Sequence, residues 1–317
     1  VQLQQKANTI REDIISMLEH AGSGHSAGPL GLADIFAALY FSILNIRPED
    51  PKWADRDVLF LSNGHTVPVQ YAAMAEAGFF DKEELMTLRQ TGSRLQGHPE
   101  RERLPGIEST SGPLGSGLPQ AQGLAIADKA IGNEKVTICT ISDGASMEGE
   151  AKESFAAIPG LASRGMLNPF LMVVSDNNTK LSGRIDKDSF SMESTFSTLS
   201  QLGWEVILVR EGNNLQEVYN AIEKGLELAK ANPSKPVCLH CLTVKGFGVK
   251  STEESASGGH GYPLKAYSDK LESFIEEVFD GEVPSELKDT IQKLAKKSAI
   301  FNGIFQIRER CKGVHCV

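Results

Sequence analysis

The chain has 317 residues, of which 40% are hydrophobic and 23% are charged, and its net charge is −9. This is the composition of a globular protein with one large domain or two small ones. The acidic balance and the lack of a basic block argue against nucleic acid or an anionic membrane as a partner, and no apolar run reaches the roughly 20 residues of a membrane span.

Hydrophobic periodicity predicts a succession of helices and short strands. The segment LQQKANTIREDIISMLEHAGSG reads as an amphipathic helix, and GLADIFAALYFSIL as a largely buried one. Later helical segments alternate with apolar, β-branched strand runs, which are DVLFLS, KVTICTIS, PFLMVVS, WEVILV and PVCLHCLTV. This alternation is typical of a parallel sheet covered on both faces. The sequence therefore predicts an α/β fold with a doubly wound, mostly parallel sheet over 1–265, followed by a helical extension or linker over 266–317.

Two of the predicted strands end on residues that suit a metal ion. Asp143 and Gly144 follow VTICTIS, and Asp176 and Asn177 follow PFLMVVS. One predicted helix, over 148–162, separates these strands, so we expect them to be parallel neighbours that end at the same rim, where ligands of such folds bind. Carboxylate and amide oxygens suit magnesium or calcium. Ordinary capping of a turn by Asp and Asn remains an equal alternative at this point.

Four of the seven histidines directly follow a glycine, in loop-like contexts. They are His25, His65, His98 and His260. Histidines in loops are more often functional than histidines in a core. The Gly-rich turn ESTSGPLGSG runs into a predicted helix, and its amides could face an anion. No P-loop lysine motif and no G-x-G-x-x-G after a strand is present, which disfavours a nucleoside triphosphatase or a dinucleotide dehydrogenase.

The five cysteines form no even disulfide framework. Cys238 and Cys241 have C-x-x-C spacing, but they fall in a predicted strand, where positions i and i+3 point to opposite faces. A structural role is favoured for this pair. Cys311, His315 and Cys316 could bind a metal, although a frayed terminus is the favoured interpretation. Reduced cysteines and the lack of a visible targeting segment predict a cytoplasmic protein.

Several motifs in order resemble those of transketolases. SDGASMEGE followed by VVSDNN resembles the thiamine-diphosphate motif, usually written as GDG followed by NN, with Ser142 in place of the first glycine. GSGHSAGPLG, LSNGH, GHPE and ESTSGPLGSG resemble successive transketolase signatures over about 20–185, and GGHGYPLKA extends the match to about 266. At 28–29, Gly-Pro stands where many members have Pro-Gly. The resemblance implies the thiamine-diphosphate-binding fold.

The resemblance also implies how a cofactor and its metal would be held. Asp143 and the Asn177 side chain would bind Mg2+ or Ca2+, together with the backbone carbonyl of Thr179. The residues expected to contact thiamine diphosphate are His65, Gly112, Leu114, Asp143, Gly144, Asn177, Leu181 and His260. Of these, Gly144 and His65 would lie at the diphosphate, with His260 close to it. Gly112 and Leu114 would lie near the aminopyrimidine and thiazolium rings, and Leu181 would line the thiazolium pocket.

Three histidines would face the ketose substrate in a transketolase. By the resemblance, His98 would hold the first hydroxyl, while His25 and His260 would assist proton transfer at the third. Glu148 matches a glutamate that meets the partner domain across a subunit interface. The implied reaction moves a two-carbon ketol unit from a ketose phosphate to an aldose phosphate.

The length of the chain implies a partner. The usual transketolase is about twice as long and carries a second domain that binds the aminopyrimidine and supplies further catalytic groups. The resemblance therefore implies the N-terminal subunit of a split transketolase, inactive without a C-terminal subunit that carries the pyrimidine-binding and C-terminal domains, and assembled as a dimer of heterodimers.

Two alternatives stay open at the level of sequence. The first is a related enzyme subunit that resembles 1-deoxyxylulose-5-phosphate synthase or dihydroxyacetone synthase, because the residues that select the substrate lie mostly on the other domain. The second is a non-catalytic homologue that binds thiamine diphosphate or acts as a scaffold. The four Gly-His loops argue against the second.

Overall fold

The computed structural model describes residues 2–181, 183–253, 260, 276–277 and 281. In this part of the chain, five strands form one parallel sheet with the order β1-β2-β3-β7-β6, and two short strands form an antiparallel pair. The strands are β1 Val58–Leu61, β2 Thr137–Ser142, β3 Phe170–Asp176, β4 Thr179–Lys180, β5 Gly183–Arg184, β6 Glu205–Val209 and β7 Val237–Leu242. All five predicted strand runs are strands of the large sheet, which confirms the predicted parallel α/β fold.

Helices fill the connections between the strands. Within the described residues they are α1 Gln2–Ala21, α2 Ala27–Gly31, α3 Ala33–Ala38, α4 Val67–Ala77, α5 Gly117–Ala130, α6 Gly149–Ala162, α7 Ile185–Asp188, α8 Glu193–Ser197, α9 Leu199–Leu202, α10 Leu215–Ala231 and α11 Lys250–Glu253. Single 3-10 turns cover Gly64–Thr66, Lys82–Thr87 and Ala145–Met147, and a π-helical turn covers Leu39–Ile43. The predicted helix GLADIFAALYFSIL corresponds to α3 and the π-helical turn that continues it, and a turn at Leu32 (φ −99°, ψ −4°) separates it from the short α2.

The sheet separates two hydrophobic clusters, as expected for a sheet covered on both faces. Buried residues of α1, α3, α4 and α10 pack on one face, and those of α5, α6 and α9 on the other. Neighbouring residues of one strand alternate between the clusters, for example Leu59 and Phe60. Cys238 and Cys241 also lie in different clusters, so the C-x-x-C pair points to opposite faces, as predicted.

The sheet order determines which loops meet at the carboxyl rim. β2 and β3 are parallel neighbours, as predicted, with Ser142 beside Ser175. β7 lies on the other side of β3, and the N–H of Thr243 donates to the Asp176 carbonyl at 2.8 Å. The segment after β7 therefore lies beside the ends of β2 and β3, although about sixty residues separate it from β3 along the chain.

The predicted extension over 266–317 lies outside the described residues apart from 276–277 and 281, and the terminal Cys/His group lies wholly outside them. The boundary at 265 stays a prediction. In the part of the chain that the structure describes, no helix combines the length and the apolar character needed to cross a membrane.

Candidate functional site

A cavity of about 420 Å³ opens at the carboxyl rim of β1, β2, β3 and β7. Every site residue predicted from the sequence lines it except His25, and these residues are His65, His98, Gly112, Leu114, Asp143, Gly144, Glu148, Asn177, Thr179, Leu181 and His260. His25 lies next to these residues, because its ring centroid is 5.1 Å from that of the cavity residue His260. The fold thus brings together residues that are up to about 235 positions apart in the sequence.

Asp143 is almost fully buried at the end of β2, with 1% of its surface exposed. Its Oδ1 accepts a hydrogen bond from the N–H of Gly144 at 2.7 Å, and its Oδ2 accepts one from the N–H of Asn177 at 2.9 Å. Burial, reinforced by the nearby Asp176 carboxylate, raises the pKa of Asp143 to about 7. A carboxylate held in this way is electrostatically unfavourable, and a cation beside it would relieve that cost.

Asn177 is oriented by a tight turn that follows β3. Its Oδ1 accepts from the N–H of Thr179 at 3.0 Å, and the Thr179 hydroxyl donates to the Asn177 carbonyl at 3.0 Å. Between them Asn178 has a left-handed backbone (φ 52°), which Asn tolerates better than most residues. The capping interpretation is therefore correct for Asn177. An amide oxygen has two lone pairs, so this bond leaves one for a metal ion.

The donor set fits a hard cation only in combination with a ligand. The described His, Cys, Asp and Glu side chains form no group of three that could hold a metal ion by themselves. The Asp143 carboxylate, the Asn177 amide oxygen and the Thr179 carbonyl are oxygen ligands of the kind that magnesium and calcium prefer. The remaining positions would have to come from phosphate oxygens and water, so the residues fit a metal bound together with a phosphate.

The four Gly-His histidines form a cluster at one side of the cavity. The ring centroid of His25 lies 5.3 Å from His65 and 6.0 Å from His98, and that of His65 lies 5.2 Å from His260. Burial is the largest cause that lowers the pKa of each ring: to about 4 for His25 and His260, well below the usual range for His65, and in the same direction for His98. At neutral pH these rings are uncharged imidazoles that can both donate and accept hydrogen bonds.

Close backbone packing places His65 and Gly112 at the cavity. His65 lies in the 3-10 turn that follows β1, and a Cβ added to Gly64 would overlap the carbonyl oxygen of Ser111. Ser111 is itself held by a hydrogen bond from its hydroxyl to the Leu61 carbonyl. Only glycine allows the two loops to approach this closely. At Gly144, in contrast, an added Cβ would meet nothing within 4 Å, so this backbone faces open space in the cavity.

Several polar residues of the cavity were missed by the sequence analysis, among them Lys245 and Asn63. Lys245 is only 5% exposed, and its Nζ lies 3.0 Å from His260 Nδ1 and 3.4 Å from the Lys180 carbonyl. Burial lowers the pKa of Lys245 to about 8, so it is mostly charged at neutral pH. Asn63 is buried, and its Oδ1 has no hydrogen-bond partner among the residues that the structure describes. Both residues shortly follow a strand, which is the signal that identified Asp143 and Asn177.

His240 of β7 lies next to the site and contacts a residue at the end of β3. Its Nε2 lies 2.8 Å from Asp176 Oδ2, and its ring contacts Phe196 with 4.6 Å between centroids. Asp176 precedes Asn177 directly. His240 therefore contacts the residue before Asn177 and does not line the cavity.

Comparison with known sequences places these features in a family context. The family model described as "Transketolase, thiamine diphosphate binding domain" matches residues 2–302. The transketolase of Bacillus subtilis (strain 168) is 34% identical over 274 residues, which is 83% of this chain and 39% of that protein. The transketolase of Geobacillus stearothermophilus is 34% identical over 313 residues, which is 93% of this chain and 45% of that protein. The chain thus spans less than half the length of these relatives.

Solved structures give the same picture. A transketolase mutant (R525L) from Pichia stipitis superposes with a TM-score of 0.78 at 27% identity, over 96% of this chain and 46% of that one. The transketolase of Campylobacter jejuni superposes with a TM-score of 0.77 at 26% identity, over 99% of this chain and 49% of that one. Each match again covers about half of the longer protein.

Proposed function

Because this chain belongs to the transketolase family, we propose that it is the half of a two-chain transketolase that holds the diphosphate of thiamine diphosphate and a divalent metal ion. The proposed reaction transfers a two-carbon ketol unit from a ketose phosphate to an aldose phosphate. The observation that carries the proposal is the single cavity in which the oxygen ligands, the histidine cluster and the buried Lys245 meet. The presence of all these groups favours an enzyme subunit over a non-catalytic homologue.

The metal ion would be held by Asp143, Asn177 and Thr179. The buried carboxylate, with its raised pKa, is stabilised as an anion once a divalent cation lies beside it. The neighbouring Gly144 leaves open space where any other residue would place a Cβ. A phosphate oxygen can therefore approach the backbone at this point and complete the coordination shell.

The diphosphate would be balanced by local positive charge in an otherwise acidic chain. The net charge of −9 does not favour anions in general. Within the cavity, Lys245 supplies an ammonium group, and burial strengthens its attraction for an anion because the local dielectric is low. His65, as a neutral imidazole, would add a hydrogen bond to a phosphate oxygen.

Thiamine diphosphate, when bound, supplies the electron sink that allows a carbon–carbon bond beside a carbonyl to break. The histidines of the cavity would hold the substrate and accept or return its protons. A lowered pKa keeps His25 and His260 uncharged at neutral pH, so His25 can accept a proton from a sugar hydroxyl, while His260 can donate a hydrogen bond to a sugar oxygen. Lys245 Nζ donates to His260 Nδ1, which leaves the ring proton of His260 on Nε2. His98 would hold a hydroxyl at the edge of the cluster.

The mouth of the cavity has the character of an interface. Leu181 is 70% exposed and Leu114 is 37% exposed, and both line the cavity beside the exposed Glu148. Exposed apolar side chains around a polar site are typical of a surface that a partner covers. The partner proposed here is a chain with the pyrimidine-binding domain of a transketolase, and the assembly is a dimer of heterodimers with two copies of each chain.

A binding experiment tests the cofactor part of this proposal. The full chain is titrated with thiamine diphosphate in the presence of MgCl2, with the candidate partner chain absent or present. Isothermal calorimetry measures the heat of binding, and thermal unfolding measures the rise in melting temperature. Asp143→Ala should abolish the magnesium-dependent signal, whereas Asp186→Ala, an exposed aspartate near the same rim, should not. Ketol transfer from xylulose 5-phosphate to ribose 5-phosphate is then assayed on the pair. Equal binding by Asp143→Ala and the wild type would contradict the metal site.

A further inference from the structure

One asparagine side chain, that of Asn213, contacts the segment 243–249 directly before Lys245. Asn213 lies in the loop between β6 and α10, outside the cavity. Its Oδ1 accepts a hydrogen bond from the N–H of Val244 at 2.7 Å, and its Nδ2 donates to the Gly31 carbonyl at 2.9 Å. A single side-chain amide thus joins the segment before Lys245 to the α2 turn that begins just after His25.

The two joined segments pack against each other without free space. An added Cβ at Gly31 would lie 2.7 Å from the Val244 carbonyl oxygen, and the N–H of Gly246 donates to the Ala27 carbonyl at 2.8 Å. A shift of the segment therefore cannot be absorbed by a gap and must break one of these contacts.

A second contact fixes the other side of the lysine. Arg11 of α1 donates from Nε to the Phe247 carbonyl at 3.3 Å, and its guanidinium lies 5.1 Å from the centre of the Phe247 ring. Arg11 is itself held by a buried ion pair with Asp34. Lys245 is thus flanked by two fixed points, Asn213 at Val244 and Arg11 at Phe247.

We propose that Asn213 is a positioning residue of the site, which fixes the segment before Lys245 against the turn after His25 and so sets where the lysine ammonium enters the cavity. A lysine side chain has a flexible four-carbon stem, so its reach depends on where its backbone is held. Nζ lies 3.0 Å from His260 Nδ1 while the preceding residue, Val244, is held by the Asn213 amide. Only the consequence for diphosphate binding rests on the proposed function.

The next residue provides a matched control. Asn214 is chemically identical to Asn213, but its side chain caps α10 by accepting from the N–H groups of Gln216 and Glu217 at 3.1 and 3.3 Å. Asn214→Ala therefore weakens a helix end and lowers stability without touching the segment of 243–249. Comparison of the two alanine variants separates a loss of position from a loss of stability.

Amide hydrogen exchange of the full chain, read by mass spectrometry, tests the positioning role without cofactor or partner. Asn213→Ala should speed exchange in the peptides over 243–249 and 27–32 by about fivefold to tenfold, the factor expected for one lost buried hydrogen bond. Asn214→Ala should speed exchange at the start of α10 and leave those two peptides unchanged. If both variants speed exchange over 243–249 equally, the proposal is overturned.

Inorganic pyrophosphate with MgCl2 tests the consequence for anion binding. Asn213→Ala should weaken its affinity by about tenfold, because the ammonium is no longer held at its place, and Asn214→Ala should leave it unchanged. A wild-type chain that binds no pyrophosphate would count against the proposed diphosphate site, while the exchange data still decide the role of Asn213. If the wild type binds pyrophosphate and Asn213→Ala binds it with the same affinity, the link between Asn213 and the position of Lys245 is overturned.

Discussion

The Asp143 carboxylate, at the end of β2, accepts a hydrogen bond at 2.9 Å from the backbone N–H of Asn177, which follows β3. The two residues that the sequence marked as metal ligands are therefore linked directly before any ligand binds. Because the donor is a backbone group at a strand end, its position is set by the register of the sheet, and it holds the Asp143 carboxylate in one orientation. A site of this kind is preorganised, which reduces the entropic cost of binding.

Replacement of Lys245 should show how much its positive charge contributes to the binding of thiamine diphosphate. Lys245→Met keeps an apolar stem of similar volume in a buried position and removes the ammonium. We expect the affinity for thiamine diphosphate at saturating magnesium to fall by about tenfold or more, because a hydrogen bond between charged groups is lost. Calorimetric titration measures the change. Lys129→Met, at an exposed lysine of α5 outside the cavity, is the control; an equal loss in both variants would contradict the assignment.

The histidine cluster should stay uncharged well below neutral pH. Burial lowers the pKa of His25 to about 4, so we expect its imidazole signal in a ¹³C-histidine NMR titration to move near pH 4. The peptide GSGHSAG, in which the ring is solvated, should titrate near the ordinary value of about 6.5. His25→Gln identifies the signal. A midpoint above pH 6 in the folded chain would show that the ring is not desolvated as described.

A buried acidic group far from the cavity should make stability depend on pH. Burial raises the pKa of Asp13 to about 7 although Lys82 lies 3.0 Å away, and Glu12 is raised to about 7 in the same group, with Glu76 and Lys6 beside them. A raised folded-state pKa gives stability that is present below the unfolded value of about 4 and lost as pH rises through about 7.

Urea unfolding at a series of pH values measures this effect. Relative to Asp13→Asn, the wild type should lose up to about 1.4 kcal/mol of unfolding free energy per pH unit between about pH 4 and pH 7, and nothing further above that. Asp55→Asn, at an exposed carboxylate, should run parallel to the wild type. A constant difference between wild type and Asp13→Asn across this range would refute the raised pKa.

Two glycine replacements should have opposite effects. Gly64→Ala places a Cβ onto the Ser111 carbonyl oxygen and should destabilise the chain by several kcal/mol, since backbone on both sides must move. At Gly123, on α5, an added Cβ meets nothing within 4 Å, and Gly123→Ala should stabilise the isolated chain by about 0.5–1 kcal/mol through the helix propensity of alanine. Denaturant unfolding of both variants gives the comparison. A tolerated Gly64→Ala would show that the two loops can separate.

The exposed Leu181 should matter only in the assembly. Because its side chain is 70% exposed, Leu181→Ser should change the unfolding free energy of the isolated chain by less than about 0.5 kcal/mol. With the partner chain added, the same variant should reduce ketol transfer, since the exposed leucine is expected to be covered there. Ile131→Ser, at an apolar residue that is 77% exposed and outside the cavity, is the control. Full transfer activity in Leu181→Ser would contradict the interface.

Most of the elements could be predicted from the sequence, because their signals are local. The strand runs are continuous and apolar, and α1, α5, α6 and α10 are periodic or bounded by turn residues, so their position follows from nearest neighbours. The short helix α2 was missed because its five residues, AGPLG, include two glycines and a proline, which disfavour a helix. The roles of the site residues came from resemblance and not from the pattern, which left Asp143 equally open to capping and metal binding.

The sequence by itself determined the local features: five apolar strand runs, Asp143 and Asn177 at strand ends, and four histidines that follow glycines. Only the tertiary structure decided that β7 lies between β3 and β6, and this order brings Lys245 to the cavity and Asn213 to the segment that carries it. The physical reason is that the pairing of strands depends on contacts between residues far apart in the chain. Such contacts leave no periodic trace in the residues that make them.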